Sequence, residues 1–136
     1  MEVNKRNFPE NLFYDTHYQW VKKDENKVYF GLTPYGLEIT GDILYLALPA
    51  AGTQVEGGNA CGSLEAGKWV GRVYSPVSGR VTKVNENVVA TPALINQFPY
   101  NSWFAEIEIT NPGEFAGLMT VAELCAWLTE DEKADA

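Results

Sequence analysis

The sequence predicts a mainly β domain, a sandwich or barrel of short strands, with a helix at the C-terminus. Residues 44–89 consist of short apolar segments separated by glycine and proline turns, which is typical of small antiparallel sheets. Near the end of the chain, apolar residues recur at helical spacing. The length of 136 residues suits one domain with its own core.

The N-terminal third predicts two strands with a short helix between them. Residues 1–11 are mostly polar and are interpreted as a lead-in. Residues 28–30 and the alternating residues 43–47 have strand character. Between these strands, Thr33 suits an N-cap, Pro34 the first helical position and Gly41 the end of a helix. We therefore expect a short helix in this interval.

Two later segments, residues 52–57 and 79–86, resemble each other, since each begins with glycine and continues with strand residues including valine. Such a weak repeat predicts two related half-sheets on either side of a central hairpin, formed by residues 61–73. A further strand is expected at residues 104–109, followed by a turn at residues 111–113.

The C-terminal helix is predicted from a capping box, in which Thr120 and Glu123 satisfy free backbone N–H groups. Four residues then share one face: Val121, Leu124, Cys125 and Leu128. The last residues are polar and charged. We therefore expect a single domain over residues 1–128 and an acidic, flexible tail over residues 129–136.

Composition narrows the classes of function. The net charge of −8 disfavours nucleic acid and membrane surfaces as partners and favours basic protein patches, although acidity also serves solubility. There is no apolar leader or membrane-spanning run, so we expect a cytoplasmic protein. One histidine, His17, and two distant cysteines predict no metal site and leave one disulfide open. The sequence shows neither a nucleophile paired with a base nor a phosphate loop, which argues against an enzyme.

The central hairpin contains the chemically informative segment. Strand residues flank Ala66 and Gly67, and Gly67 permits a tight bend with positive φ. Lys68 would then lie at or beside an exposed hairpin tip, where a modifying enzyme reaches its amine. An isolated lysine is usually an ordinary solvated side chain, so this position needs support from the rest of the chain.

That support is a resemblance to the H protein of the glycine cleavage system over about residues 13–128. Glu65 and Lys68 resemble the Glu-Ser-Val-Lys segment of that family, whose lysine is lipoylated. The other matching residues come in family order: Tyr14, His17, Trp20, Gly31, Leu32, Thr33, Tyr35, Gly41, Asp42, Ile43, Leu48, Pro49, Gly52, Ser75, Pro76, Val77, Ser78, Gly79, Val84, Asn85, Pro92, Leu94, Asn96, Pro99, Tyr100 and Trp103.

The resemblance implies a lipoyl carrier, not an enzyme, with lipoate amide-linked to Lys68 on a barrel-sandwich hybrid fold of two small antiparallel sheets. Glu65 would position the lipoylating enzyme or polarise the tip, or be a plain solvated carboxylate. Trp69 would shield the lipoyl ring, dock a partner or simply pack on the sandwich. Cys61 would either exchange with the lipoyl sulfurs or, as we favour, be a small buried strand residue. We expect His17 to be structural.

The tip departs from the glycine cleavage pattern, with Ala66 and Gly67 before the lysine and Trp69, Val70 and Gly71 after it. This segment looks more like the lipoate-binding proteins of the heterodisulfide-reductase-like sulfur oxidation pathway. We therefore expect a carrier for that pathway, which a heterodisulfide-reductase-like iron–sulfur complex uses as a partner. A lipoate ligase or lipoyl synthesis enzymes would attach its lipoyl group.

Three alternatives to that pathway stay open. One is a glycine cleavage H protein, which carries an aminomethyl group between the glycine cleavage enzymes. The second is an unmodified H-like binding module. The third is a biotin carrier, which is disfavoured because those carriers prefer methionine beside the lysine.

Overall fold

The structure is a computed structural model that describes residues 2–3, 6–67 and 69–135, with side-chain environments for residues 8–67 and 69–129. Lys68 lies outside the described residues. The strands are β1 (Glu2–Val3), β2 (Arg6–Asn7), β3 (Phe13–Tyr14), β4 (Gln19–Asp24), β5 (Lys27–Leu32), β6 (Ile43–Ala47), β7 (Gln54–Val55), β8 (Ala60–Ala66), β9 (Val70–Tyr74), β10 (Gly79–Val84) and β11 (Ala105–Ile109). The helices are α1 (Pro34–Thr40), α2 (Glu86–Ala90), α3 (Ala93–Gln97), a 3₁₀ helix (Pro112–Gly117) and α4 (Val121–Asp135).

Two antiparallel sheets form the body of the fold. The larger has six strands in the order β3-β4-β5-β11-β10-β7, and the smaller has three in the order β6-β8-β9. The two similar segments do not form separate half-sheets, because they meet as neighbours in the larger sheet, where Gly79 of β10 pairs with Val55 of β7. The hairpin between them, β8–β9, belongs to the smaller sheet. The prediction of two small antiparallel sheets is confirmed, and neither of these described sheets closes into a barrel.

The main core lies between these sheets. Val21, Phe30 and Ile107 come from the larger sheet, and Leu46 and Leu64 from the smaller one, and all five are fully or almost fully buried. A second cluster joins α4 to the N-terminal region through Phe8, Leu12, Tyr14, Trp20, Tyr35, Leu124 and Leu128. Burial of these apolar side chains is the main force that holds the two sheets and α4 together.

Both predicted helices are present with the expected caps. The Thr33 hydroxyl accepts a hydrogen bond from the Gly36 backbone N–H at the start of α1, and Gly41 ends the helix. At α4, the Thr120 N–H donates to the Glu123 carboxylate at 3.0 Å, and the Glu123 N–H donates to the Thr120 hydroxyl at 3.3 Å. These reciprocal bonds are the predicted capping box.

Three parts of the chain differ from expectation. Residues 1–11 are not merely a lead-in, because Phe8 is fully buried and packs edge-on against Tyr14 with ring centroids 5.8 Å apart. Residues 86–90 form α2 rather than a strand, and Asn85 caps it through a bond from the Asn87 N–H. The turn predicted at residues 111–113 opens the 3₁₀ helix.

Helix α4 continues to Asp135 and so includes most of the segment predicted as a tail. The division of the chain at residue 128 and the flexibility of residues 129–136 stay predictions. No helix within the described ranges combines the length and apolar character needed to cross a lipid bilayer.

Candidate functional site

The candidate site begins where β8 and β9 meet. The Ala66 N–H donates to the Trp69 carbonyl at 2.8 Å, which closes the hairpin, and the Gly67 N–H donates to the Asp42 carbonyl at 3.0 Å. Glu65 is exposed and pairs with Val70 across the hairpin. The residues on both sides of Lys68 therefore lie at the end of this hairpin. Three of the residues proposed for the site are exposed and lie within four positions of one another: Glu65, Gly67 and Trp69.

Gly67 differs from the expected geometry. It does not have a positive φ, unlike Gly41, Gly52 and Gly58. A Cβ atom added at Gly67 would meet nothing within 4 Å. Neither the backbone nor the packing therefore requires glycine at this position, and the predicted left-handed bend at Gly67 is wrong.

Trp69 lies against its own strand. Its side chain is 40% exposed, and its indole ring fills the space beside Gly71, where a Cβ atom would overlap ring atoms. The ring also forms one wall of a cavity of about 210 Å³ along the outer edge of β9. Packing on the sandwich and lining a cleft are thus both features of Trp69.

This cleft runs between β9 and the β4–α1 region. Its apolar walls include Leu32, Ile39, Leu64 and Trp69, and Arg72 is a charged side chain on its rim. The apolar wall is formed by the two sheets and α1 together, so it depends on the tertiary fold. A narrow apolar cleft that starts at an exposed hairpin end can shield a flexible acyl chain attached there.

Gln19 also lines the cleft, beside the edge of β9. Its side-chain amide donates to the Tyr74 carbonyl at 2.8 Å and accepts from the Tyr74 N–H at 3.2 Å. The glutamine thus makes both hydrogen bonds that a neighbouring strand would make at this point of the β9 edge. The same amide nitrogen donates to the Asp15 carboxylate at 2.8 Å, which fixes the orientation of the amide.

Asp15 and His17 lie beside this contact. Burial raises the pKa of the Asp15 carboxyl, against hydrogen bonds from the backbone N–H groups of Gln19 and His17. The His17 ring stacks on the Tyr74 ring at a centroid separation of 3.8 Å and an angle of 10°. His17 therefore packs at the junction of β4 and β9, as expected for a structural residue.

Cys61 lies at the opposite end of β8 from the hairpin tip. Four strand residues lie between Cys61 and Ala66, and the five steps along the strand correspond to about 17 Å. Burial raises the pKa of the Cys61 thiol to about 11, so this thiol is protonated at neutral pH. The favoured interpretation is a small buried strand residue; Cys61 does lie in a strand, but its side chain is half-buried, and Cys61 and Cys125 are not joined by a disulfide.

Sequence reasoning missed Gln19, Tyr74 and Arg72. Gln19 carries a weak signal, since it is a polar residue directly before the buried pair Trp20 and Val21 in β4. Its partner Tyr74 is 55 positions away, so no local pattern joins the two residues. Arg72 alternates with Val73 as expected for a strand, but its place on the cleft depends on the packing of the sheets.

The fold and this hairpin define a small β-sheet protein with an exposed hairpin end beside an apolar cleft. A sequence model of the family described as "Glycine cleavage H-protein" matches residues 12–131. The chain belongs to this family. Its resemblance to H proteins, predicted from the ordered motifs, is confirmed.

Individual relatives support the same family assignment. The glycine cleavage system H protein of Thermoanaerobacter sp. (strain X514) is 37% identical over 122 residues, which cover 90% of this chain and 97% of the relative. The glycine cleavage system H protein of Bacillus cereus (strain AH187) is 34% identical over 124 residues, with 90% and 98% covered. The crystal structure of a glycine cleavage system H protein from Mycobacterium marinum superposes with a TM-score of 0.82 at 29% identity and covers 90% of this chain and 99% of that one.

Family membership identifies the cofactor, because glycine cleavage H proteins hold lipoate covalently on a lysine. The described residues fit such a group, since the end of the β8–β9 hairpin is exposed and the cleft beside it has an apolar wall. These relatives are glycine cleavage proteins. They favour that alternative over our first interpretation, sulfur oxidation, which the comparisons do not support.

Proposed function

We propose that this chain is a lipoyl carrier of the glycine cleavage type and that Lys68 is the attachment site. The observation that carries the proposal is the placement of its neighbours: Gly67 and Trp69 lie at the exposed end of a hairpin, beside an apolar cleft. A carrier needs its modified lysine in such a place, because a ligase and several enzymes must reach the same atom. The spacing Glu65-x-x-Lys68 agrees with this assignment.

The lipoyl group, when bound, supplies a cyclic disulfide that accepts a transferred group or electrons and returns them as a dithiol. The chain supplies the tether and the shelter. Leu32, Ile39 and Leu64 offer apolar surface to the acyl chain, and Trp69 adds an aromatic wall to the cleft. Gln19 lines the same cleft and is held in place by its hydrogen bonds to Tyr74. In this scheme the chain is a non-enzymatic component of a multi-enzyme system.

The partners follow from the family. A lipoate ligase or lipoyl synthesis enzymes would modify Lys68, and the glycine cleavage enzymes would load and unload an aminomethyl group. A cytoplasmic location follows from the same assignment. The net charge of −8 favours basic docking surfaces on these enzymes, so we expect complexes to weaken as salt rises.

Attachment is tested by intact mass after incubation with a lipoate ligase and lipoate. We expect one lipoyl addition on the wild-type chain and none on Lys68→Arg, which keeps the positive charge but removes the primary amine. Lys83→Arg is the matched control, since Lys83 is an exposed strand lysine and should leave the modification unchanged. Full modification of Lys68→Arg would refute the assignment.

The pathway is tested separately with the lipoylated chain and purified glycine decarboxylase. Exchange of the glycine carboxyl carbon with bicarbonate at H-protein rates supports the glycine cleavage function. An absence of exchange by a fully lipoylated chain would refute it. The sulfur oxidation interpretation, based on Gly67 and Trp69 at the tip, would then be tested by reduction of the arm by a heterodisulfide-reductase-like complex.

A further inference from the structure

An apolar patch lies on the face of the hairpin that does not line the cleft. Leu44, Tyr45 and Val70 are 65%, 58% and 73% exposed, higher than Ile39, Trp69 and Phe98 among the exposed large apolar side chains of the described residues. Tyr45 pairs with Glu65, and Glu65 pairs with Val70, so these three side chains form one row across the smaller sheet. We name Leu44, Tyr45, Glu65 and Val70 the tip patch.

A β-bulge in β6 creates this exposure. Ile43 pairs with Ala66 and Tyr45 with the adjacent residue Glu65, so Leu44 is an extra residue on its strand. The extra residue resets the alternation of inward and outward side chains. Ile43 and Leu46 are consequently buried, while Leu44 and Tyr45 between them are both exposed. Without the bulge, Tyr45 would share the inward face of Ile43.

The patch has a charged centre. Glu65 lies between Tyr45 and Val70, and within residues 8–67 and 69–129 no Lys, Arg or His side chain forms an ion pair with it. A carboxylate framed by apolar side chains is complementary to a lysine or arginine set among apolar residues on another protein. Desolvation of such a pair at the centre of an interface makes it sensitive to substitution.

The patch and the cleft are separate surfaces. None of the four patch residues lines the cleft, which lies along the outer edge of β9. A protein resting on the tip patch therefore leaves the cleft open, and an arm attached at the hairpin end can move between the cleft and that protein. A loading enzyme needs this arrangement, whereas a ligase acts before the arm exists.

We infer that the tip patch is the docking surface for the enzyme that loads the arm, and that this enzyme places a lysine or arginine on Glu65 between apolar contacts to Tyr45 and Val70. The inference rests on the proposed function, because it needs an arm at Lys68. It adds the binding surface and the chemistry of the partner. The loading enzyme used as the probe is glycine decarboxylase.

The test compares two lipoylated variants with wild type by calorimetric titration against glycine decarboxylase. The double variant Tyr45→Thr, Val70→Thr keeps strand-forming residues but removes the apolar frame. Glu65→Gln removes the charge. We expect each to raise Kd about tenfold or more, corresponding to about 1.4 kcal/mol. The matched control is Phe98→Ser, an exposed apolar residue outside the patch, 54% exposed, which should leave Kd unchanged.

Salt gives a second readout. Wild-type Kd should rise between low and high ionic strength, and the rise should be smaller for Glu65→Gln, since the lost ion pair no longer contributes. Circular dichroism of each variant should match wild type, because the substituted side chains are exposed. A variant that fails this check is replaced by the single change Val70→Thr.

The outcomes separate the two proposals. Equal Kd values for the wild type and both patch variants would overturn the docking inference, and so would a lipoylated wild type that does not bind glycine decarboxylase. Slower modification by the ligase with unchanged Kd would assign the patch to the ligase and also overturn it. Failure of the attachment proposal would be recognised earlier, by an absence of lipoyl mass at Lys68.

Discussion

The indole ring of Trp69 occupies the space in which a side chain at Gly71 would lie. The two residues are two positions apart on the chain, and a Cβ atom at Gly71 would overlap the six-membered part of the ring. Trp69 forms a wall of the cleft only because Gly71 has no side chain. The pair is therefore a single structural unit in the wall of the candidate site.

Substitution of Gly71 should consequently displace Trp69. We expect Gly71→Ala to lower the free energy of unfolding by about 1–3 kcal/mol and to increase quenching of tryptophan fluorescence by acrylamide, because overpacking forces the ring outward. Gly67→Ala is the control, since a Cβ there meets nothing within 4 Å. Identical stability and quenching for both variants would show that the ring does not depend on Gly71.

Gln19 should hold β9 against β4. Gln19→Leu removes the side-chain hydrogen bonds to Tyr74 and Asp15 and leaves the Tyr74 backbone N–H without its glutamine partner. We expect a loss of about 3 kcal/mol in urea unfolding and faster hydrogen exchange of the Tyr74 amide. Gln54→Leu, at an exposed strand position, is the control. An unchanged exchange rate at Tyr74 would contradict the proposed role of Gln19 in holding the edge of β9.

Glu106 predicts a pH dependence of stability. Burial acts to raise the pKa of Glu106, but hydrogen bonds from Tyr29 and Thr82 and the charges of Lys27 and Lys83 outweigh it, so the pKa lies below the usual range. A lowered folded-state pKa stabilises the fold above the unfolded-state pKa, and the stabilisation is lost as pH falls through the folded value. Glu106 also forms an ion pair with Lys27, with 3.5 Å between the lysine nitrogen and a carboxylate oxygen. Because the Lys27 side chain is half-exposed, this pair by itself adds little to the stability of the fold.

We therefore expect Glu106→Gln to be about 1–3 kcal/mol less stable than wild type at pH 7, with a difference that shrinks as the medium becomes acidic. Urea unfolding at a series of pH values measures this. Glu108→Gln, on the same strand, should show no comparable difference. A gap between wild type and Glu106→Gln that grows towards acidic pH would have the wrong sign.

The Cys61 thiol should react slowly with alkylating reagents. With a pKa of about 11, about one Cys61 thiol in a thousand is ionised at pH 8, and its side chain is half-buried. In a Cys125→Ser background, we expect iodoacetamide to react much more slowly with the folded chain than with the chain in urea. Equal rates would show that Cys61 is accessible and leave an exchange with the lipoyl sulfurs open.

Local signals in the sequence were sufficient for several elements. The caps of α1 and α4 depend on side chains within three or four positions of each other, so Thr33, Thr120 and Glu123 could be identified from their spacing. The hairpin around Lys68 followed from strand residues on both sides of a short turn. The ordered motifs identified the family, which the comparisons confirmed.

Other features were decided by the tertiary structure alone. The cleft requires β9 to pack beside β4 and α1, and one contact in its wall joins Gln19 to Tyr74 across 55 positions. The bulge at Leu44 depends on the register between β6 and β8, which an alternating pattern does not specify. Phe8 is buried because α4 returns from the other end of the chain to form the second core. The physical reason is common to all three: each depends on contacts between distant segments, whereas a sequence pattern reports the preferences of neighbouring residues.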